Sequence, residues 1–317
     1  MRLPHIETTR VVIVGAGNVG STTAFALMVQ GIASEIVLID IDKKKCAGEI
    51  LDLTHGISFV KPVRIWAGDY TDCKHADVVF ICAGAKQKPG QPRLGLLRPN
   101  TKIVSEIVKK IVRNITRYTK KAIILVATNP LDVMTYVALK VSGLPPYQVF
   151  GTGTNLDSSR FRWLLAEKFG LAATSMHAFL IGEHGDTSVP IFSHANVMGK
   201  NITELPEYNQ AAAKEFYEKT KNAAYDIIQS KGATYYAIAL SVAEIIRAIL
   251  YDENHVLLVS SLLTGQYGLR NVCLSLPSVV GRTGIKKIIE IDLAPDELEK
   301  LKKSAKVIQE EIKKVKL

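Results

Sequence analysis

The stretch RVVIVGAGNVGSTTAFALMVQG, residues 10–31, constrains this chain more than any other. A run of β-branched apolar residues stops at a glycine, and a helix-forming run begins within a few residues. A strand that is apolar on both faces must be covered from above and below, which points to a buried parallel sheet. The pattern then recurs. EIVLIDID, VRIWAG, DVVFICAGA and AIILVATNP are further apolar runs of strand length, and KKKCAGEILDLTHG and IVSEIVKKIVRNITRYT lie between them with helical character. Such alternation predicts parallel strands joined by right-handed crossover helices. After residue 150 the alternation lapses. A helix over SSRFRWLLAEKFG leads to HAFLIGEHG and then to a mixed region with helices that reaches the C-terminus. The expectation is therefore an α/β chain in two parts, with the parallel sheet in residues 1–150 and an α+β domain in 151–317. Without a repeat or a flexible linker, the two parts should share a broad interface with a ligand crevice along it.

Composition narrows the class. A chain of 317 residues that is 47% hydrophobic has material for two cores. No uninterrupted apolar run reaches the ~18 residues of a membrane span. The opening MRLPHIETTR lacks the apolar segment and cleavage site of a signal peptide, so a soluble cytoplasmic protein is expected. Cys46, Cys73, Cys82 and Cys273 form no C-x-x-C pair, and no Cys/His cluster has ligand spacing. Neither a disulfide nor a metal site is expected. The net charge of +10 is scattered, and DELEKLKKSAKVIQEEIKKVKL alternates in sign along a solvated amphipathic helix. With 7% aromatic residues and no stacking motif, the excess suits small anionic ligands better than nucleic acid.

Within VVIVGAGNVG, Gly15, Gly17 and Gly20 spell G-x-G-x-x-G between a strand and a helix. Gly15 would permit the tight turn and Gly17 a close approach of backbone to a pyrophosphate. Gly20 would let the helix pack on the strand. The helix N-terminus at Asn18, Val19 and Gly20 would offer its N–H groups and positive dipole end to the phosphates. Asp40 closes EIVLID twenty residues beyond Gly20. A carboxylate there can accept ribose hydroxyls and repels a 2′-phosphate, and Ile41 beside it brings no positive charge. NAD is thus favoured over NADP. The plainer alternative is that Asp40 caps the next helix.

His184 sits in FLIGEHGDTSVP, in a turn freed by Gly182 and Gly185. Hydride transfer from an alcohol needs a base for the hydroxyl proton, and imidazole titrates near neutrality. A carboxylate on the other ring nitrogen would favour the imidazolium. GTNLDSSRFR offers Asp157 for that task, and Arg160, three residues on, falls on the same helix face. Its guanidinium could grip a substrate carboxylate. The plainer alternatives are a helix cap for Asp157 and a surface ion pair for Arg160.

GAGNVG, ATNPLDV, GTNLDSSRFR and IGEHGD, in this order and at these separations, resemble the L-lactate/malate dehydrogenase family, over essentially the whole chain from Arg10 onward. The resemblance implies a Rossmann-type doubly wound sheet with a C-terminal α+β substrate domain. It implies His184 as the acid/base, Asp157 as its partner and Arg160 as the carboxylate anchor. Asn129 would orient nicotinamide and substrate, and Ala83, Gly84 and Thr128 would complete the cofactor site. Thr234 would line the substrate pocket. AGAKQKPGQPR would be a mobile lid from which Arg93 polarises the substrate carbonyl, closing to exclude water. Malate-type members carry an arginine where Gln87 aligns. A neutral amide cannot balance a second buried carboxylate, so pyruvate and lactate are the expected pair. Malate dehydrogenase, or a broader 2-hydroxy acid dehydrogenase, is the alternative. Alternation along the lid should turn Lys86 and Lys88 outward. Gln91-Pro92 and Gly95 depart from the usual lid, and Asn155 stands where an apolar residue is usual.

Arg162 and His177 match the pair that binds fructose bisphosphate across a subunit interface in allosteric bacterial members, which also implies a homotetramer. By the same analogy His55 would lie at a subunit contact. His5, His75 and His255 are expected to be exposed, and His194 to be partly buried and satisfied.

Overall fold

The computed structural model describes residues 8–85, 93–118, 121–206 and 208–315. The alternating part folds as β1 (Arg10–Val14), α1 (Asn18–Gln30), β2 (Glu35–Ile39), α2 (Lys43–His55), β3 (Arg64–Ala67), β4 (Val78–Ile81), α3 (Leu97–Tyr118), β5 (Ile123–Val126), α4 (Leu131–Ser142) and β6 (Val149–Gly151). These six strands pair in parallel in the order β3-β2-β1-β4-β5-β6. This is the doubly wound Rossmann arrangement, whose strand order reverses direction between β1 and β4.

The period of two along β1 assigns its faces. Val12 and Val14 join a core with Val104 and Ile111 of α3 and Val133 and Val137 of α4. Val11 and Ile13 join a second core with Leu27 of α1. All four are buried, as strands covered on both sides must be.

The C-terminal part begins with α5 (Asn155–Lys168) and passes through the two-residue strands β7 (Leu180–Ile181), β8 (Val189–Pro190), β9 (Asn196–Val197) and β10 (Lys200–Asn201). Then come α6 (Gln210–Lys231), α7 (Tyr236–Leu250), β11 (His255–Thr264), β12 (Arg270–Gly281), β13 (Gly284–Ile288) and α8 (Pro295–Lys313). Phe161 and Leu165 of α5 anchor a third core with Met176, Ala195 and Ile202.

The mixed region thus contains long antiparallel strands as well as helices. β11, β12 and β13 do not form a sheet of their own. They extend the parallel sheet to nine strands, and β11 meets β6 where Ser260 faces Gly151. Gly153 leads the chain away from this seam at φ +60, and a Cβ there would lie 2.7 Å from the backbone nitrogen of Ser260. HAFLIGEHG yields only the short β7, because its backbone leaves the strand at Gly182, φ +87.

Candidate active site

α1 leaves β1 on one side of the sheet's reversal point, and the chain after β4 leaves on the other. A crevice therefore opens at the carboxyl ends of β1 and β4, where such folds place ligands. The glycine turn lies at its floor. Gly15 has φ +115, and a Cβ on it would stand 2.8 Å from the backbone nitrogen of Ala83. Gly17 is the N-cap of α1, in extended backbone, and makes no side-chain cap bond. A Cβ on Gly17 would meet nothing within 4 Å. The first intrahelical amide to bond back is that of Ser21, to the Gly17 carbonyl at 3.0 Å. The turn therefore presents a helix N-terminus with space before it, and an anion fits both the hydrogen-bonding need and the dipole.

Asp40 faces this turn. Its Oδ2 accepts the Ala16 amide at 2.6 Å and its Oδ1 accepts that of Asp42 at 2.9 Å. The residue that caps α2 is Asp42, whose side chain accepts from the Lys45 amide at 3.0 Å. Asp40 is thus tied to the glycine turn instead of the helix, and Ile41 beside it is 98% exposed.

The far wall is made by the ends of β4 and β5. Thr128 Oγ1 donates to the Ala83 carbonyl at 2.8 Å, and a Cβ on Gly84 would stand 2.8 Å from Thr128 Cγ2. Asn100 of α3, buried, accepts the Ala85 amide at 2.8 Å and donates to the Asn129 carbonyl at 2.6 Å. The side-chain oxygen of Asn129 is buried with no hydrogen-bond partner among the described residues. An orphaned acceptor of this kind is costly, and a donor on a bound ligand would relieve it. The open turn, the Asp40 carboxylate and the unmet Asn129 oxygen all suit a dinucleotide.

His184 enters from the other half of the chain. Gly182 exchanges two 2.9 Å backbone bonds with Ser275 of β12, and Ser304 Oγ of α8 accepts the Glu183 amide at 2.9 Å. The His184 amide donates to Asp132 Oδ2 at 2.8 Å. With its backbone held from three elements, the ring directs Nδ1 at Asp157 Oδ2, 2.5 Å away. The other Asp157 oxygen accepts Arg160 Nη1 at 3.0 Å. Asp157 and Arg160 lie three residues apart on α5, and Asp157 sits in its first turn, where the helix dipole favours a carboxylate. Thr154, not Asp157, occupies the N-cap position. The three side chains are only 11–13% exposed, so their attraction is little screened.

Asp132 lies beneath this group. It is 2% exposed, and burial, with Glu183 and Asp157 nearby, pushes its carboxyl up to about 7 despite hydrogen bonds from Ser260 and the His184 amide.

Thr234 is half-buried in the short connection between α6 and α7. Arg93 opens the turn of 3-10 helix Arg93–Leu96, which also holds Gly95. The Arg93 side chain lies outside the described residues, as do Lys86, Gln87, Lys88, Gln91 and Pro92. Asn155 donates to Ser241 Oγ at 3.1 Å and Glu244 Oε2 at 2.9 Å, both on α7, which accounts for a polar residue at a buried position. Arg162 is half-buried on α5, two residues past Arg160 and so turned roughly 200° around the helix. His177 is exposed and pairs through its backbone with Asn196. His194 is half-buried, with Nε2 2.7 Å from the Asp292 carbonyl, and His75 is exposed. His255, expected to be exposed, is half-buried because it begins β11.

Residues 9–151 match the family model described as lactate/malate dehydrogenase, NAD binding domain, and residues 154–317 match lactate/malate dehydrogenase, alpha/beta C-terminal domain. The chain belongs to the lactate/malate dehydrogenase family. It is 49% identical to an L-lactate dehydrogenase of Acetivibrio thermocellus over 309 residues, covering 96% of each chain. It is 48% identical to one from Synechococcus sp., covering 95% of this chain and 97% of the relative. Among solved structures, a minor L-lactate dehydrogenase from Enterococcus mundtii superposes with a TM-score of 0.93 at 39% identity, covering 98% of this chain and 99% of the other.

The site of this family member also contains residues to which no sequence motif assigns a role. Asn100, Asp132 and Ser260 bind mainly to backbone or to one another. For Asp132 a signal existed: an acidic residue in the otherwise apolar PLDVM. Among the described residues no group of three or more His, Cys, Asp or Glu is arranged to hold a metal. No helix among them is long and apolar enough to cross a membrane.

Proposed function

We propose that this chain is a cytoplasmic NAD-dependent L-lactate dehydrogenase, reducing pyruvate to (S)-lactate at the close of lactate fermentation and running reversibly. The observation that carries the reading is Asp157 shared between His184 Nδ1 and Arg160 Nη1, at 2.5 and 3.0 Å, under a dinucleotide crevice. Residues 1–150 are taken as the NAD-binding half and 151–317 as the substrate half.

The reaction adds a hydride at pyruvate C2 and a proton at its oxygen. NADH, when bound, supplies the hydride. His184 supplies the proton, and in the direction of lactate oxidation it receives one. Asp157 orients the ring and balances the imidazolium. Arg160 anchors the substrate carboxylate, and Asn129 directs its unmet oxygen at the ligand. Thr234 lines the pocket. Arg93 polarises the C2 carbonyl from the lid, and Gln87 meets the methyl end. Gly15, Gly17, Asn18, Val19 and Gly20 hold the pyrophosphate and Asp40 the ribose, with Ala83, Gly84 and Thr128 on the far wall.

The assembly proposed is a homotetramer. Phe25, Leu51, Tyr236 and Leu240 are 53–65% exposed, large apolar side chains that suit burial against other subunits. Arg162 and His177 are proposed to bind fructose bisphosphate as an activator, two basic groups per subunit that a bisphosphate would bridge. The deciding experiment is NADH oxidation against a panel of 2-oxo acids, with and without fructose bisphosphate. Pyruvate turned over fastest supports the reading, and a strong preference for oxaloacetate overturns it.

A further inference from the structure

Asp132 is a buried titratable group that the proposed mechanism leaves unused, and among the described acidic residues it is the most buried. It lies in the first turn of α4, three residues after Asn129 in sequence, and is 2% exposed. Its Oδ2 accepts the backbone amide of His184 at 2.8 Å, and its Oδ1 lies 2.6 Å from Ser260 Oγ on β11, at the point where β11 meets β6. It forms no ion pair among the described residues. Charged groups near it include Glu183 and Asp157, both carboxyls, and Cys273 on β12 also lies within its electrostatic reach.

We infer that Asp132 is a positioning residue for His184, acting through the peptide N–H instead of the ring and doing so as a hydrogen-bonding group rather than as a charge. The inference rests on His184 being the acid/base. A side chain that hangs from a glycine-flanked turn keeps its direction only if the backbone below it is fixed. Asp157 can set the rotation of the ring, but not the height or tilt of the Cα that carries it. Asp132 supplies that support and joins it to the seam between the two halves. An unpaired charge in so buried a place is disfavoured. The neutral acid keeps both contacts without it: one oxygen accepts from the His184 amide and the other accepts from Ser260 Oγ. The raised carboxyl, at about 7, agrees with this.

An asparagine keeps an uncharged acceptor for the His184 amide and a polar group beside Ser260, whereas alanine presents neither. In the purified enzyme, Asp132→Ala is expected to lower kcat for pyruvate by about tenfold or more while the NADH Kd stays within about twofold. Asp132→Asn should return kcat to within about threefold of the parent, and Ser260→Ala should fall between the two. Hydrogen exchange over residues 182–187 reads the same bond without turnover: faster in the alanine variant, near the parental rate in the asparagine one. Normal turnover and exchange in Asp132→Ala would overturn the proposal, as would an asparagine variant as impaired as the alanine one, since that requires the charge. If the alanine protein does not fold, the asparagine and Ser260 variants decide by the same criteria. A parent enzyme inactive on pyruvate would sink the substrate assignment, and exchange would still judge Asp132.

Discussion

Gly20 rests directly on the carbonyl oxygen of Gly15, so closely that a Cβ on Gly20 would overlap it. Two residues that frame one turn are therefore packed against each other, whereas Gly17 between them faces open space. The two kinds of glycine should fail differently. Gly20→Ala must displace α1 from β1, with a loss of about 2 kcal/mol or more in unfolding free energy together with cofactor affinity. Gly17→Ala should leave the unfolding midpoint within about 2 °C, because φ −76 suits any residue. It should still weaken NADH binding by roughly tenfold, its methyl taking space meant for phosphate. Fluorescence titration with NADH beside thermal unfolding separates the two, and equal Tm losses would contradict this account of the turn.

Removing the imidazole tests the proton. His184→Ala should bind NADH normally and lose about 10²- to 10⁴-fold in kcat. Asp157→Asn keeps the shape but not the charge and should lose a similar share. Single-turnover rates with pyruvate check both.

Asp132 should leave a mark on stability as well. Its folded value of about 7 stands above the usual unfolded 3.9 or so. The folded state then holds the proton more tightly, so this contribution is full below about pH 4 and lost as pH rises to about 7. The loss is on the order of 4 kcal/mol at most. Denaturant unfolding of Asp132→Asn across this window should show a flatter pH profile than the parent, and parallel profiles would refute the assignment.

Gln87→Arg should move preference from pyruvate toward oxaloacetate, since the added charge pairs with a second carboxylate and is left unpaired by a methyl group. The ratio of kcat/KM for the two acids is the measure, and a ratio unchanged within about threefold would show that selectivity lies elsewhere.

Fructose bisphosphate should shift the parent's pyruvate saturation curve to lower concentration, and Arg162→Ala should abolish the shift. A parent curve that stays in place removes the effector proposal.

Much of the fold was legible because its signals are local. The β1 run, the glycine turn and the apolar strands through AIILVATNP each declare themselves within ten residues. β11 and β12 did not, because an apolar run such as HVLLVSSLLT shows its length but not which sheet edge it will join. In the site, His184, Asp157 and Arg160 could be nominated from the chemistry required and a helical spacing of three. Asn100, Ser260 and Ser304 could not, and Asp132 stood out only as an acid among apolar residues, with no sign of its partners. They serve backbone amides or carbonyls, or one another, up to 128 residues away, and no side-chain pattern records such a partner.

The unbroken sheet has a consequence for the handling of this chain. A Rossmann half severed after Gly151 would carry β6 as a raw margin, with the edge that β11 normally meets at Gly151 turned toward solvent and toward other molecules of its kind. Fragments cut at that seam should clump unless a borrowed strand hems the border.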